Sequence, residues 1–103
     1  MNYNMQFIFT KTGLMKYISH LDLMRLFMRA MRRARIPVKI TEGFNPHPKL
    51  SILRALKLGV ESGSEEATVG LREPVNASFF QDSLNSQLPS GIRVTSACQS
   101  FRK

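Results

Sequence analysis

NMQFIFTKTGLMKYISHLDLMRLFMRAMRRARIP, residues 4–37, carries two hydrophobic periods in succession, and the change from one to the other sets the fold class. From Asn4 to Thr10, Met5, Phe7 and Phe9 alternate with Gln6, Ile8 and Thr10, the period of two expected of a strand with one buried face. Lys11-Thr12-Gly13 then reads as a turn. Ser19 precedes Asp22 by three residues, an acidic variant of the capping box that satisfies orphan N–H groups and suits the positive end of a helix dipole. A helix is predicted from about His20 to Arg35, stopping before Pro37 because the residue ahead of a proline avoids the helical region. On its wheel Met24, Phe27, Met28, Met31 and Ala34 form one apolar stripe, widened by Leu23, Leu26 and Ala30. Arg25, Arg29, Arg32 and Arg33 gather on the opposite side.

Working outward, Pro37–Lys49 (PVKITEGFNPHPK) is a stiff loop, with Gly43 free to take a special backbone angle and two prolines fixing the chain on either side of His47. Leu50–Arg54 alternates weakly as a strand, and Leu56–Ser64 is a glycine-bearing connection. Ala67–Arg72 reads as the next strand, weakened by Gly70. Asn76 is the N-cap of a second helix with Phe80, Leu84 and Leu88 at spacing four and Phe79 beside them, ended by Pro89-Ser90-Gly91. Ile92, Val94, Ser96 and Cys98 are expected on one face of a last strand. The order β-α-β-β-α-β predicts an α+β fold of ferredoxin-like type, an antiparallel sheet with two helices on one face. Residues 1–103 read as a single domain with no internal boundary.

The 43% hydrophobic content and nine aromatic residues, without low-complexity runs, exclude a disordered class. One cysteine, Cys98, excludes an internal disulfide and supplies too few ligands for a zinc site or an iron–sulfur cluster, so no metal or cofactor is expected. No apolar stretch is long enough to span a bilayer, and the N-terminus lacks a basic region and a cleavage site; the expected setting is the cytoplasm, away from membranes. The net charge of +8 is unevenly placed. Residues 11–57 hold eleven Lys or Arg against Asp22 and Glu42, a net of +9, and the remainder sums to −1. Such a footprint favours a polyanionic partner.

Candidates for chemistry are few. His20, Asp22 and His47 would be the ligands of a metal site, but no metal-specific spacing is present. Ser19 and His20, adjacent on a helix, diverge too far around its axis for a nucleophile–base pair. General acid–base action by His47 or His20 on RNA needs only an imidazole near a 2′-hydroxyl and stays open as the enzymatic alternative. The bland alternative makes His20 a satisfied polar residue of the first helical turn and His47 a hydrogen-bonding member of its loop. Phe44 is either a stacking platform or a pin that holds the loop to the core, and Tyr17, Phe44, His47 and Lys49 interleave aromatics with cations only weakly.

Lys11-Thr12-Gly13, Ser19-His20-Leu21-Asp22, Arg25, Arg29-Ala30, Arg32-Arg33-Ala34, Pro37 and Gly43-Phe44-Asn45-Pro46-His47-Pro48-Lys49 together resemble the opening of the radical SAM-linked protein family, a domain of unknown function found beside or fused to radical SAM enzymes. The resemblance is dense over residues 7–59 and pattern-like beyond. It implies that these residues are either the N-terminal part of a longer family domain or a short form of it, and that the partner is a radical SAM protein engaged in chemistry of the RNA-modification type. The chain lacks the three-cysteine motif of such enzymes, so it reads as an accessory domain and not as a self-sufficient enzyme. The expected partner is RNA, met by Lys11, Arg25, Arg29, Arg32, Arg33, Phe44, Asn45, His47 and Lys49; a protein adaptor using the same arginines is the remaining alternative.

Overall fold

The computed structural model describes residues 2–40, 49–53, 59 and 61–102. Strand β1 (Asn2–Lys11) leads through a short 3-10 turn (Gly13–Tyr17) into helix α1 (His20–Arg33). Strands β2 (Leu50–Ile52) and β3 (Ser62–Leu71), helix α2 (Ala77–Asn85) and strand β4 (Val94–Arg102) follow. The four strands form one antiparallel sheet in the order β2-β3-β1-β4. This is the α+β, ferredoxin-like arrangement expected from the element order.

Period two places Met5, Phe7 and Phe9 on the buried face of β1, each at most 1% exposed. Across from Phe7 stand Ala67 on β3 and Ala97 on β4. Small residues flanking a large one leave room for Phe27 of α1 and Phe80 of α2, whose rings lie 5.5 and 5.4 Å from that of Phe7. Phe27 also meets Phe9 edge-on at 4.9 Å, an arrangement that aromatic quadrupoles favour. Both helices therefore cover the same side of the sheet. The buried residues of α1 are Leu23, Phe27, Ala30 and Met31, whereas Met24, Met28 and Ala34 of the expected stripe are only partly covered. The stripe is centred on Phe27 because the ring pocket made by Phe7 and Phe9 captures it.

Helix ends follow local chemistry. The Asp22 N–H donates to Ser19 Oγ (3.1 Å), but the Asp22 carboxylate turns to Arg25, so half of the expected capping box forms. Asn76 caps α2 by accepting from Phe79 N–H (3.1 Å). Helix α1 ends two residues earlier than expected, in a Schellman turn without glycine. Arg35 N–H donates to the Arg32 carbonyl (3.1 Å), Ile36 N–H donates to the Met31 carbonyl (3.0 Å), and Arg35 takes the left-handed φ of 58°.

Three expectations are corrected. Lys11 continues β1 instead of entering a turn, and its side chain is buried at 1% exposure. Strand β3 begins at Ser62, inside the stretch read as a connection, because the end of β1 pairs with it there, Lys11 opposite Ser62 and Phe9 opposite Glu65. In β4, Phe9 pairs with Val94 while Ile8 pairs with Ser96, so Thr95 is the extra residue of a β-bulge. The bulge reverses the alternation: Val94 is buried, but Ser96 and Cys98 emerge on the open face, exposed, and Ala97 and Gln99 turn to the helix side. Gln99 then has its amide oriented to donate to the Val75 carbonyl (3.0 Å) and accept from the Val75 N–H (2.9 Å).

Gly91 ties the two ends of the chain together. Its carbonyl accepts from Thr12 N–H at 2.9 Å and from the Thr10 and Thr12 hydroxyls at 3.2 and 3.4 Å. Its φ is +96°, and a Cβ would sit 2.5 Å from the Thr12 carbonyl oxygen and 2.9 Å from Met15 Cγ. Gly91→Ala is thus strained in its backbone and blocked in space; it is expected to cost about 3 kcal/mol and lower the melting temperature by about 12–20 °C. A thermal unfolding scan within a few degrees of wild type would contradict this placement.

Candidate nucleic-acid interface

The solvent side of α1 presents Arg25, Arg29, Arg32 and Arg33, all exposed, in the order the helical period dictates. Arg25 lies 3.7 Å from Asp22, with both side chains about 60% exposed, a pair that contributes little in water. Arg29, Arg32, Arg33, Arg35 and the exposed Arg72 after β3 have no carboxylate within 4.0 Å among the described residues. Part of this clustering is structural, since cations at a helix C-terminus gain about 0.3–1 kcal/mol each from the dipole. That gain accounts for the last turn of α1 but not for Arg29 or Arg72.

Two concavities adjoin the row. Between α1 and the end of α2 lies a groove of about 400 Å³, with Arg29 and Arg33 on one wall and Ser86 and Gln87 on the other, floored by Leu26, Ala30, Leu88 and Pro89. Around the corner a cleft of about 280 Å³ is lined by Met28, Met31, Ile36, Val38 and Ile40, with Arg32 and Arg72 also on its walls. Leu88 is expected on the apolar face of the second helix and Pro89 at its end, whereas α2 stops at Asn85; nothing local in residues 86–89 signals that they face Arg29 and Arg33 across the groove.

The other side of the sheet differs in character. Asn4, Gln6, Ile8, Ser51, Glu66, Thr68, Ser96 and Cys98 face outward and form a polar surface with no aromatic among the described side chains. RNA-binding sheets stack bases on aromatic rings, so this face has no such platform in the described residues. Exposed Lys49 stands at its margin: a Cβ on Gly70 would meet Lys49 Cβ at 3.2 Å and Lys39 Cβ at 3.7 Å. Gly70 therefore marks a close approach of side chains, not a weak strand.

The remaining expected site residues separate. Lys11, buried on the core side of β1, is not part of the exposed cationic set. Exposed Tyr17 carries Lys16 over its ring at 5.2 Å, and Lys16 reaches Glu61 at 3.9 Å. His20 opens α1 half-buried, and Asp22 is engaged with Arg25 and not with His20. Phe44, Asn45 and His47 lie outside the described residues. No group of three His, Cys, Asp or Glu suited to a metal ion occurs among the described residues. Folding is expected to be independent of metal: excess EDTA should shift the melting temperature by less than about 1 °C, whereas loss of a structural ion would remove several kcal/mol. No helix of the described residues is long and apolar enough to cross a membrane.

A family model described as an uncharacterized protein conserved in bacteria matches residues 4–103. No curated protein matches the chain.

Proposed function

We propose that this chain, which belongs to the uncharacterised bacterial family DUF2344 over residues 4–103, is an RNA-binding accessory domain. The observation that carries the reading is the set of five exposed arginines, Arg29, Arg32, Arg33, Arg35 and Arg72, without a carboxylate partner among the described residues. Arginines without a carboxylate partner are available to neutralise phosphates, and the cations condensed on the nucleic acid that they displace are released with a gain in free energy. Single-stranded RNA suits this surface better than duplex, because concave grooves beside the row admit splayed nucleotides and not a helix. In this reading Phe44, Asn45, His47 and Lys49 supply base contacts and the arginines supply position. The link to radical SAM chemistry rests on the motif resemblance alone, and the domain would present RNA to such a partner.

The test is the salt dependence of binding to a fluorescent single-stranded RNA. With three to four phosphates contacted, the logarithm of the affinity should fall with the logarithm of salt at a slope of about −2 to −3. A slope near zero, or no binding at low salt, would count against it.

One observation favours a second reading, a protein adaptor. The cleft of Met28, Met31, Ile36, Val38 and Ile40 flanked by Arg32 and Arg72 suits an apolar segment bearing acidic residues, and methionine walls adapt readily to such a partner. In that case Met28→Ala with Ile36→Ala, which leaves every arginine in place, should weaken binding to a radical SAM protein and leave RNA affinity unchanged.

A further inference from the structure

We propose that the groove between α1 and the end of α2 is a pocket for one nucleotide of single-stranded RNA, held by its phosphate on Arg29 or Arg33 and by its base against Leu26, Leu88 and Pro89. The inference deepens the RNA-binding reading and rests on it. Arg29 and Arg33 are one helical turn apart, so both guanidinium groups serve the same wall. No carboxylate lines the groove, and neither arginine has an acidic partner among the described residues.

The opposite wall is the C-terminal end of α2, whose bare carbonyls would ordinarily attract arginines and repel phosphate. Here they are already satisfied. Ser86 N–H donates to the Asp82 carbonyl (3.1 Å), Gln87 N–H to Leu84 (3.0 Å), Leu88 N–H to Asn85 (3.4 Å), and the Ser86 hydroxyl to Ser83 (2.6 Å). The arginines are thereby left for an outside anion. The Gln87 amide makes only a marginal contact with Ser86 Oγ (3.5 Å) and is free to pair with a base edge.

Size and chemistry then select the ligand. A volume of about 400 Å³ falls in the range of small-ligand sites, with apolar surface for a base and two cations for a phosphate. One guanidinium can stack on the base plane while the other takes phosphate oxygens in its fork.

The experiment follows backbone amide signals by NMR during titration with adenosine 5′-monophosphate, adenosine and inorganic phosphate. The nucleotide should shift the amides of residues 26–33 and 86–88 saturably, with a dissociation constant of about 1 mM, and adenosine or phosphate alone should bind about tenfold more weakly. Gln87→Glu, an exposed change that brings a carboxylate to the anion, should weaken the nucleotide about tenfold, while Gln6→Glu on the open sheet face should leave it unchanged. A single-stranded RNA should displace the nucleotide. Phosphate binding as tightly as the nucleotide, or shifts confined to other surfaces, would overturn the pocket even if salt-dependent RNA binding holds. Nucleotide binding in the groove without any RNA binding would instead overturn the RNA reading.

Discussion

Phe7→Ala is expected to remove about 3–5 kcal/mol of stability, a large part of the roughly 5–15 kcal/mol available to a domain of this size. Phe7 is the residue through which the layers meet: its ring lies 6.2 Å from Phe9, 5.5 Å from Phe27 and 5.4 Å from Phe80. Truncation takes away the transfer free energy of the ring and leaves a void that the neighbours cannot fill. Ala67 and Ala97 flank it in the sheet, and neither has atoms to move inward. Chemical denaturation should show a lower midpoint with an unchanged slope. A loss below about 1 kcal/mol would mean that the helices do not rest on this ring.

The second large effect is on binding. Arg29→Glu with Arg33→Glu should lower affinity for single-stranded RNA about 100-fold at ~0.1 M salt and make the salt slope shallower, because two phosphate contacts become repulsions. Both side chains are exposed, so the fold should persist, with the melting temperature lowered by about 4–8 °C as Arg33 in the last turn gives up its gain from the helix dipole. His47→Ala should behave differently, reducing preference among sequences more than overall affinity, as base-facing groups specify where phosphate contacts position. Were the double charge reversal to bind RNA as well as wild type, the row would be a solvated helix face and the adaptor reading would lead.

The fold was legible where period and cap agreed. Met5, Phe7 and Phe9 announced β1, and Ser19 and Asn76 announced the starts of both helices, each by a local rule that tertiary packing then reinforced. Where a signal depended on a distant residue, the reading went astray. Gly70 looked like a weak point because the side chains of Lys39 and Lys49 that crowd it are far off in sequence. The Thr95 bulge has no marker in a run of small polar residues, so Ser96 and Cys98 were put in phase with Val94. The exposed row of α1 followed from its wheel alone. The groove did not, because half of it comes from residues 86–89 and exists only once α2 has packed beside α1.

Protein engineers seeking a more stable variant would turn first to position 35. A left-handed residue at the close of a Schellman turn is where glycine is the relaxed choice, and an arginine there forgoes about 1 kcal/mol. The obvious improvement, Arg35→Gly, would also delete one of five clustered cations. A sequence drifting toward stability alone would have every reason to make that exchange. At this one residue the relaxed backbone choice and the charge of the surface pull in opposite directions.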